Sequence, residues 1–204
     1  IRLNNGYGKY LYNKGFFKES EKYFKAAVKG STWKNPNPYD CEPYYNLGLS
    51  LKVQGKADAA FDAFYKAIWD GNMQDKAYYQ LACIAAGKGS YAEALDYVEK
   101  SLIRGLHNMK ARTLKTVLLR KLGRMEEAVF FAKESVKIDA LDHGAYYELY
   151  CLTGEGLEFF TQLLRGEHHN YIELALAYRA AGLTGEAVNI LSLADGAQDE
   201  PMLH

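Results

Sequence analysis

The feature that most constrains this chain is a unit of 34 residues that recurs along it. Glycine marks the period at Gly55, Gly89 and Gly123, which are spaced by 34, while Gly15 stands 40 residues before Gly55 and Gly182 resumes the phase after one shortened unit. A small residue follows five positions after each of them, at Ser20, Ala60, Ala94, Ala128 and Ala187. A fixed period of this length is typical of a solenoid of stacked supersecondary units, and it argues against a closed globule. The functional question therefore concerns a surface more than an active site.

Each repeat is predicted to be a pair of helices. The repeats can be laid out as 1–40, 41–74, 75–108, 109–142, 143–167 and 168–201. In the second repeat, apolar residues recur at helical spacing over 44–51 and again over 57–68. Gly55 stands between these segments, where glycine ends a helix by adopting a left-handed conformation. The sequence therefore predicts an all-α chain of helical hairpins, forming a single domain over 1–204.

Two repeats depart from the period. The first carries an insertion over 31–40, where Pro36 and Pro38 favour a stiff extended loop. The fifth repeat, 143–167, is short, and we expect its second helix to be clipped. A shortened repeat should alter the local pitch of the solenoid.

The pattern resembles the tetratricopeptide repeat family over nearly the whole chain. In the second repeat, the residues at the family's signature positions are Tyr44, Leu47, Gly48, Leu51, Ala60, Phe64 and Ala67. The fourth repeat departs from the signature, because Arg112 and Lys115 replace its leading aromatic residue and leucine. The resemblance implies a right-handed α–α superhelix of about six hairpins. It also implies a non-catalytic scaffold that binds a protein segment, or a neighbouring domain of the same chain, in a concave groove.

Composition excludes several classes of function. The chain has 25 basic and 25 acidic side chains, so it has no overall charge for binding nucleic acid or an anionic membrane. No apolar run approaches the roughly 18 residues of a membrane span. Cys41, Cys83 and Cys151 lack metal-site spacing and are interpreted as reduced thiols, and a cytoplasmic location is favoured. We find no phosphate-binding loop, zinc helix or nucleophile elbow, and we therefore expect no enzyme activity, cofactor or metal.

The predicted binding residues lie on the first helix of each hairpin, on the side away from the second helix. They are Tyr45, Asn46, Leu49, Lys52, Lys76, Tyr79, Gln80, Arg120, Tyr147 and Arg179. Tyrosine pairs stand at 44–45, 78–79 and 146–147. Adjacent residues on a helix do not face the same way. We therefore expect the first tyrosine of each pair to pack between helices and the second to point into the groove.

Three interpretations of this surface remain open. The tyrosines suit an extended peptide or a sugar chain, but they also suit simple packing of the inner wall. The run from Trp33 to Gly48 resembles the C-terminal repeat region of large bacterial proteins that carry a carbohydrate-related domain. That resemblance implies a glycan-recognising accessory module using Tyr45, Tyr79 and Trp33. Trp33 is expected either to be exposed in the insertion or to fold back over the first hairpins.

A carboxylate clamp is a weaker possibility. Some members of the family hold a C-terminal carboxylate with asparagine, lysine and arginine side chains from three repeats. Asn46 and Lys76 match that arrangement, but Asn5 and Lys9 occur in the reverse order. Gln80 stands where the arginine would be, and glutamine has no cationic fork.

The ends of the chain show no polar capping face of the kind that solenoids need. We therefore expect the sequence to be excised from a longer protein, with another part of that protein or a second molecule covering one end.

Overall fold

The computed structural model describes residues 1–36 and 38–194, and over these residues the chain forms twelve helices and no strand. The helices are α1 (Arg2–Asn13), α2 (Phe17–Ser31), α3 (Glu42–Val53), α4 (Ala57–Ala67), α5 (Gln74–Gly87), α6 (Tyr91–Arg104), α7 (Met109–Lys121), α8 (Met125–Ile138), α9 (His143–Thr153), α10 (Leu157–Leu163), α11 (His168–Ala180) and α12 (Thr184–Leu191). The predicted all-α fold of repeated hairpins is confirmed.

The chain forms two compact units, and the boundary between them falls inside α5. The N-terminal unit is Ile1–Leu81, and the C-terminal unit begins at Ala82. In the N-terminal unit α1 pairs with α2, α3 pairs with α4, and α2 and α1 both pack against α3. In the C-terminal unit α7 packs against α6, α8 and α9, and α11 pairs with α12.

The predicted ends of the helices are found in the structure. Helix α3 ends at Val53, and Gly55 follows with a φ of +75°. Helix α7 ends at Lys121, and Gly123 follows two residues later with a φ of +75°. Helix α10 has 7 residues, as expected for the clipped second helix of the fifth repeat.

Small residues let the two helices of a hairpin approach closely. A Cβ atom placed on Gly48 would lie 2.6 Å from Cε1 of Phe64, whose side chain is fully buried. The corresponding distance in the first hairpin, from Gly8 to Cε1 of Phe24, is 2.7 Å. The pairing of glycine with a large aromatic ring therefore sets the spacing of these hairpins.

Changing Gly48 to alanine is expected to lower the free energy of unfolding by about 1–3 kcal/mol, because Phe64 must shift within a packed core. Gly6→Ala is the matched control, since nothing lies within 4 Å of its added Cβ. Alanine is a better helix former than glycine, so the control should gain up to about 1 kcal/mol. Urea denaturation of both variants measures the difference. Equal effects at the two positions would show that the Gly48–Phe64 contact does not limit the hairpin.

The two cations at core positions of the fourth repeat have partners. Arg112 is 3% exposed, and its Nε donates a hydrogen bond of 2.9 Å to Oγ of Ser135. Its guanidinium carbon lies 4.4 Å from the ring centre of Phe131. Lys115 Nζ pairs with Oε1 of Glu99 at 2.8 Å. The fourth repeat thus keeps the hairpin arrangement with polar contacts where the family signature has apolar ones.

Candidate peptide-binding surface

A chain of polar contacts joins α1 and α3 in the N-terminal unit. Asn46 is 8% exposed, and its Nδ2 donates to Oδ1 of Asn5 at 2.9 Å. Asn5 Nδ2 in turn donates to Oε2 of Glu42 at 2.8 Å. The other oxygen of Glu42, Oε1, pairs with Nζ of Lys9 at 2.9 Å. The predicted residue Asn46 is therefore held in place by its neighbours.

A cleft of about 320 Å³ opens beside these contacts. It is lined by Ile1, Arg2, Asn5, Gly6, Lys9, Asp40 and Glu42. Two cations, two carboxylates and an amide thus border one small volume, and side chains of this kind can donate to and accept from a peptide backbone. We call this feature the α1–α3 cleft.

The other predicted residues of this unit lie on α3 and α5. Lys52 Nζ donates to Oε1 of Gln80 at 2.8 Å, which links the two helices. Leu49 and Tyr79 are partly buried, and Lys76 is exposed. The carboxylate clamp gains no support here, because Gln80 stands where the clamp needs an arginine, and its Oε1 accepts the hydrogen bond from Lys52.

In the first two tyrosine pairs, the two tyrosines do not differ in burial as the prediction requires. Tyr44 and Tyr45 are both partly buried, and both pack against a cluster made of Cys41, Ala67 and Ala77. The ring of Tyr45 also lies 5.6 Å from that of Phe64. Tyr78 and Tyr79 are likewise both partly buried. Tyr45 therefore contributes to the core of its hairpin.

In the C-terminal unit the predicted orientation of the tyrosine pair is wrong. Tyr147 is 2% exposed, and its ring lies 5.6 Å from Phe160 and 5.6 Å, edge to face, from Tyr178. Tyr146, which was expected to pack between helices, is partly buried against Phe159. Tyr147 belongs to an aromatic core and presents almost no surface to a ligand.

Arg120 lies in a buried ionic network. Its Nε and the Oε2 atom of Glu148 are 2.9 Å apart, and one of its terminal nitrogens lies 3.2 Å from Glu186. Lys121 Nζ lies 2.5 Å from the other oxygen of Glu186. Tyr178 donates its hydroxyl to Oε1 of Glu148 at 2.8 Å. Two cations and two carboxylates thus satisfy one another across α7, α9 and α12.

The pKa values in this network follow from burial and charge. Burial raises the pKa of Glu148, and hydrogen bonds from Arg120 and Tyr178 oppose that rise. Burial also raises the pKa of Glu186, but Lys121 and Arg120 outweigh it and leave that pKa below its usual value. Burial alone would lower the pKa of Arg120, whereas the hydrogen bond and charge of Glu148 and the charge of Glu186 raise it overall. Arg120 is therefore a cation under all ordinary conditions.

Two predicted residues are more open to solvent. Arg179, on α11, is exposed. Trp33 is 79% exposed in the inserted loop, and Nζ of Lys34 lies 5.2 Å from the centre of its ring. The expectation that Trp33 folds back over the hairpins is therefore wrong. Tyr39, in the same loop, is 98% exposed.

Within 1–36 and 38–194, no group of three or more histidine, cysteine, aspartate and glutamate side chains is placed to hold a metal ion. No helix in that part of the chain combines the length and apolar character that crossing a membrane requires.

Comparison with known proteins supports the assignment of the fold. Residues 75–102 match the family model for the tetratricopeptide repeat. The chain is similar to a tetratricopeptide repeat protein from Parabacteroides merdae, with a TM-score of 0.65 and 18% identity, over 94% of this chain and 77% of that one. It is also similar to YrrB, a tetratricopeptide repeat protein, with a TM-score of 0.58 and 23% identity over 88% and 94% of the two chains.

A third similar structure is MamA from Desulfovibrio magneticus, with a TM-score of 0.59 and 15% identity over 98% of this chain and 96% of that one. At these identities the likeness concerns the fold. The chain therefore has the fold of a tetratricopeptide-repeat solenoid, and its residues 75–102 match the model of one such repeat.

Proposed function

We propose that this chain is a non-catalytic interaction scaffold that binds a peptide segment in the α1–α3 cleft of its N-terminal unit. The observation that carries the proposal is the cleft itself, where Arg2 and Lys9 face Asp40 and Glu42 around the amide of Asn5. An extended peptide has an unpaired donor and acceptor at every residue, and such a mixed polar border can satisfy them.

The predicted residues of the C-terminal unit are less suited to a ligand. Arg120 already binds Glu148 and Glu186, and Tyr147 is enclosed by Phe160 and Tyr178. A ligand at these positions would have to break a buried ion pair, which is costly. The proposed site therefore keeps Asn46, Lys52 and their neighbours on α3 and α5 as its continuation, and leaves out Arg120 and Tyr147.

The solved structure of YrrB lends support by analogy, because that protein is described as having an unusual peptide-binding site. The partner could be a separate protein or another segment of the same polypeptide, and the cleft chemistry is the same for both.

Reversing the two cleft cations tests the proposed peptide binding. Peptides are first selected on the wild-type chain from a phage-displayed random library, and their affinities are measured by fluorescence anisotropy. Arg2→Glu/Lys9→Glu should weaken the selected peptides by about tenfold or more, which is about 1.4 kcal/mol. Lys133→Glu, an exposed site on α8, is the control and should bind as the wild type does. Failure to select any peptide, or equal losses in both variants, would contradict the proposal.

A glycan-binding role is the second candidate, and the exposure of Trp33 favours it. Aromatic rings in solvent can stack on sugar rings, and Tyr39 lies six residues further along the same loop at 98% exposure. Since Tyr45 packs on Phe64, this role would depend on the loop more than on Tyr45 and Tyr79. Binding of the wild-type chain to a glycan on an array, with loss of that binding in Trp33→Ala, would support this role. If the wild-type chain binds none of the glycans, the role is contradicted.

A further inference from the structure

The last hairpin of the C-terminal unit contacts helices that are not its neighbours along the chain. In a solenoid, each repeat is expected to contact the repeats next to it. Gly182, in the turn between α11 and α12, instead lies against α5, because a Cβ added to it would be 2.7 Å from N and Cα of Gly87. On α12, Glu186 reaches Arg120 and Lys121 at the end of α7. The sixth repeat therefore closes back onto the third and fourth repeats.

This contact places one carboxylate between two cations. Glu186 is 5% exposed, and its two oxygens lie 3.2 Å from a terminal nitrogen of Arg120 and 2.5 Å from Nζ of Lys121. Arg120 also donates two hydrogen bonds to Glu148 on α9, at 2.9 and 3.3 Å. Without Glu186, this network would hold two cations and one carboxylate. We call Arg120 and Lys121 the cation pair of α7, and it forms a site for a second carboxylate that Glu186 occupies.

The turn that leads into the sixth repeat is strained. Arg165 and Gly166 follow one another in the exposed turn between α10 and α11, with φ values of +56° and +63°. Among the described residues, Arg165 is the non-glycine residue with a positive φ. Such a conformation costs free energy and persists only where the surrounding contacts impose it. The contacts of the sixth repeat, that of Glu186 among them, therefore hold this turn against its preference, and the strain favours their release.

A carboxylate from outside the chain can reach the same cations. The side chain of Lys121 is 33% exposed, so solvent has access to the site on that side. Neither Gly182 nor Glu186 brings a large apolar side chain to the contact, and an incoming carboxylate would replace like with like. Such an exchange leaves Arg120 bound to Glu148, so it does not create the bare buried charge that makes breaking an ion pair costly.

We propose that the cation pair of α7 is a binding site for an acidic peptide, and that Glu186 blocks it from within the same chain. A peptide carboxylate fits the site because the present occupant is itself a glutamate side chain, held by charge-assisted contacts. Arg120 belongs to the groove predicted from the sequence, so the sixth repeat is an autoinhibitory element that closes this part of the groove. The site includes no residue of the α1–α3 cleft, and the inference does not depend on peptide binding there.

Removing Glu186 tests the block on the whole chain. The probe is a fluorescein-labelled peptide of alternating glutamate and serine, and a second peptide carries glutamine in place of glutamate. In fluorescence anisotropy, Glu186→Ala should bind the glutamate peptide at least about tenfold more tightly than the wild type, because its cation pair is open in every molecule. The glutamine peptide should show no such gain. Glu127→Ala is the matched control, since it frees Arg124 from an exposed pair in the same unit and should bind as the wild type does.

Two further variants make the result decisive. Glu186→Gln removes the charge and keeps the shape of the side chain, so it should show a gain in affinity even if Glu186→Ala does not fold. Adding Lys121→Ala to either variant should abolish the gain, because the cation pair is then incomplete. The proposal fails if neither Glu186 variant binds the glutamate peptide more tightly than the wild type does. It also fails if Glu127→Ala gains as much affinity, or if Lys121→Ala leaves the gain unchanged.

Discussion

Replacing Arg120 with methionine is expected to lower the free energy of unfolding by about 3–5 kcal/mol, which is typical of breaking a buried ion pair from one side. Arg120 is 16% exposed in its side chain, and Glu148 is 0% exposed. Methionine fills a similar volume, so the loss comes mainly from the carboxylate that remains. Glu148 would keep its hydrogen bond from Tyr178 but would lose its cation.

The pH dependence of stability identifies the cause. Without Arg120, burial should raise the pKa of Glu148 further above its ordinary value of 4.5. A carboxyl with a higher pKa in the folded state binds more protons when folded, so stability falls as pH rises. The free energy of unfolding of Arg120→Met should therefore decrease more steeply than that of the wild type above about pH 4.5.

Two further variants make the test specific. Arg120→Met/Glu148→Gln removes the buried charge together with its partner, so it should recover much of the lost stability and should lose the excess pH dependence. Arg124→Met breaks an exposed pair with Glu127 in the same unit, and the midpoint of denaturation should not move. If Arg120→Met and Arg124→Met behave alike, the buried network contributes nothing in solution.

The regular part of the fold was predictable because it repeats. Gly55, Gly89 and Gly123 follow α3, α5 and α7 with positive φ where the period places them, because a left-handed residue leaves the same mark in each of these repeats. The close contact of Gly48 with Phe64 was also predictable, because the first hairpin has a glycine and a phenylalanine at the same separation, at Gly8 and Phe24. Period and residue size are enough for contacts within one hairpin.

The inner surface was less predictable because its contacts join distant repeats. Counting positions on the first helix placed Arg120 and Tyr147 on one surface, but it gave no sign that Glu186 of α12 would reach Arg120. Tyr147 was misjudged for a related reason, since its burial depends on Tyr178, which lies two helices further on. The shortened fifth repeat contains Tyr147, and it was the irregularity from which a change in the local pitch of the solenoid was predicted.

Replacing Gly182 with alanine is expected to cost about 2–5 kcal/mol of unfolding free energy, in two parts. Gly182 has a φ of +82°, a conformation that costs an alanine roughly 1–2 kcal/mol. Its added Cβ would also lie 2.7 Å from the carbonyl oxygen of Cys83 and from N and Cα of Gly87. These are backbone atoms of α5, so no side-chain rotation relieves the overlap, and overpacking of this kind adds about 1–3 kcal/mol.

Gly123→Ala isolates the second part. Gly123 has a φ of +75°, and nothing lies within 4 Å of its added Cβ, so the variant should show the conformational cost alone. Gly87→Ala approaches the same contact from the other side, where its Cβ would be 3.4 Å from Cα of Gly182, an ordinary contact distance. Because alanine favours helix, that variant should be neutral or slightly more stable.

A large loss at Gly182, a smaller one at Gly123 and none at Gly87 would establish that the turn before α12 rests directly on the end of α5. Equal losses at Gly182 and Gly123 in urea denaturation would show instead that this contact is absent in solution.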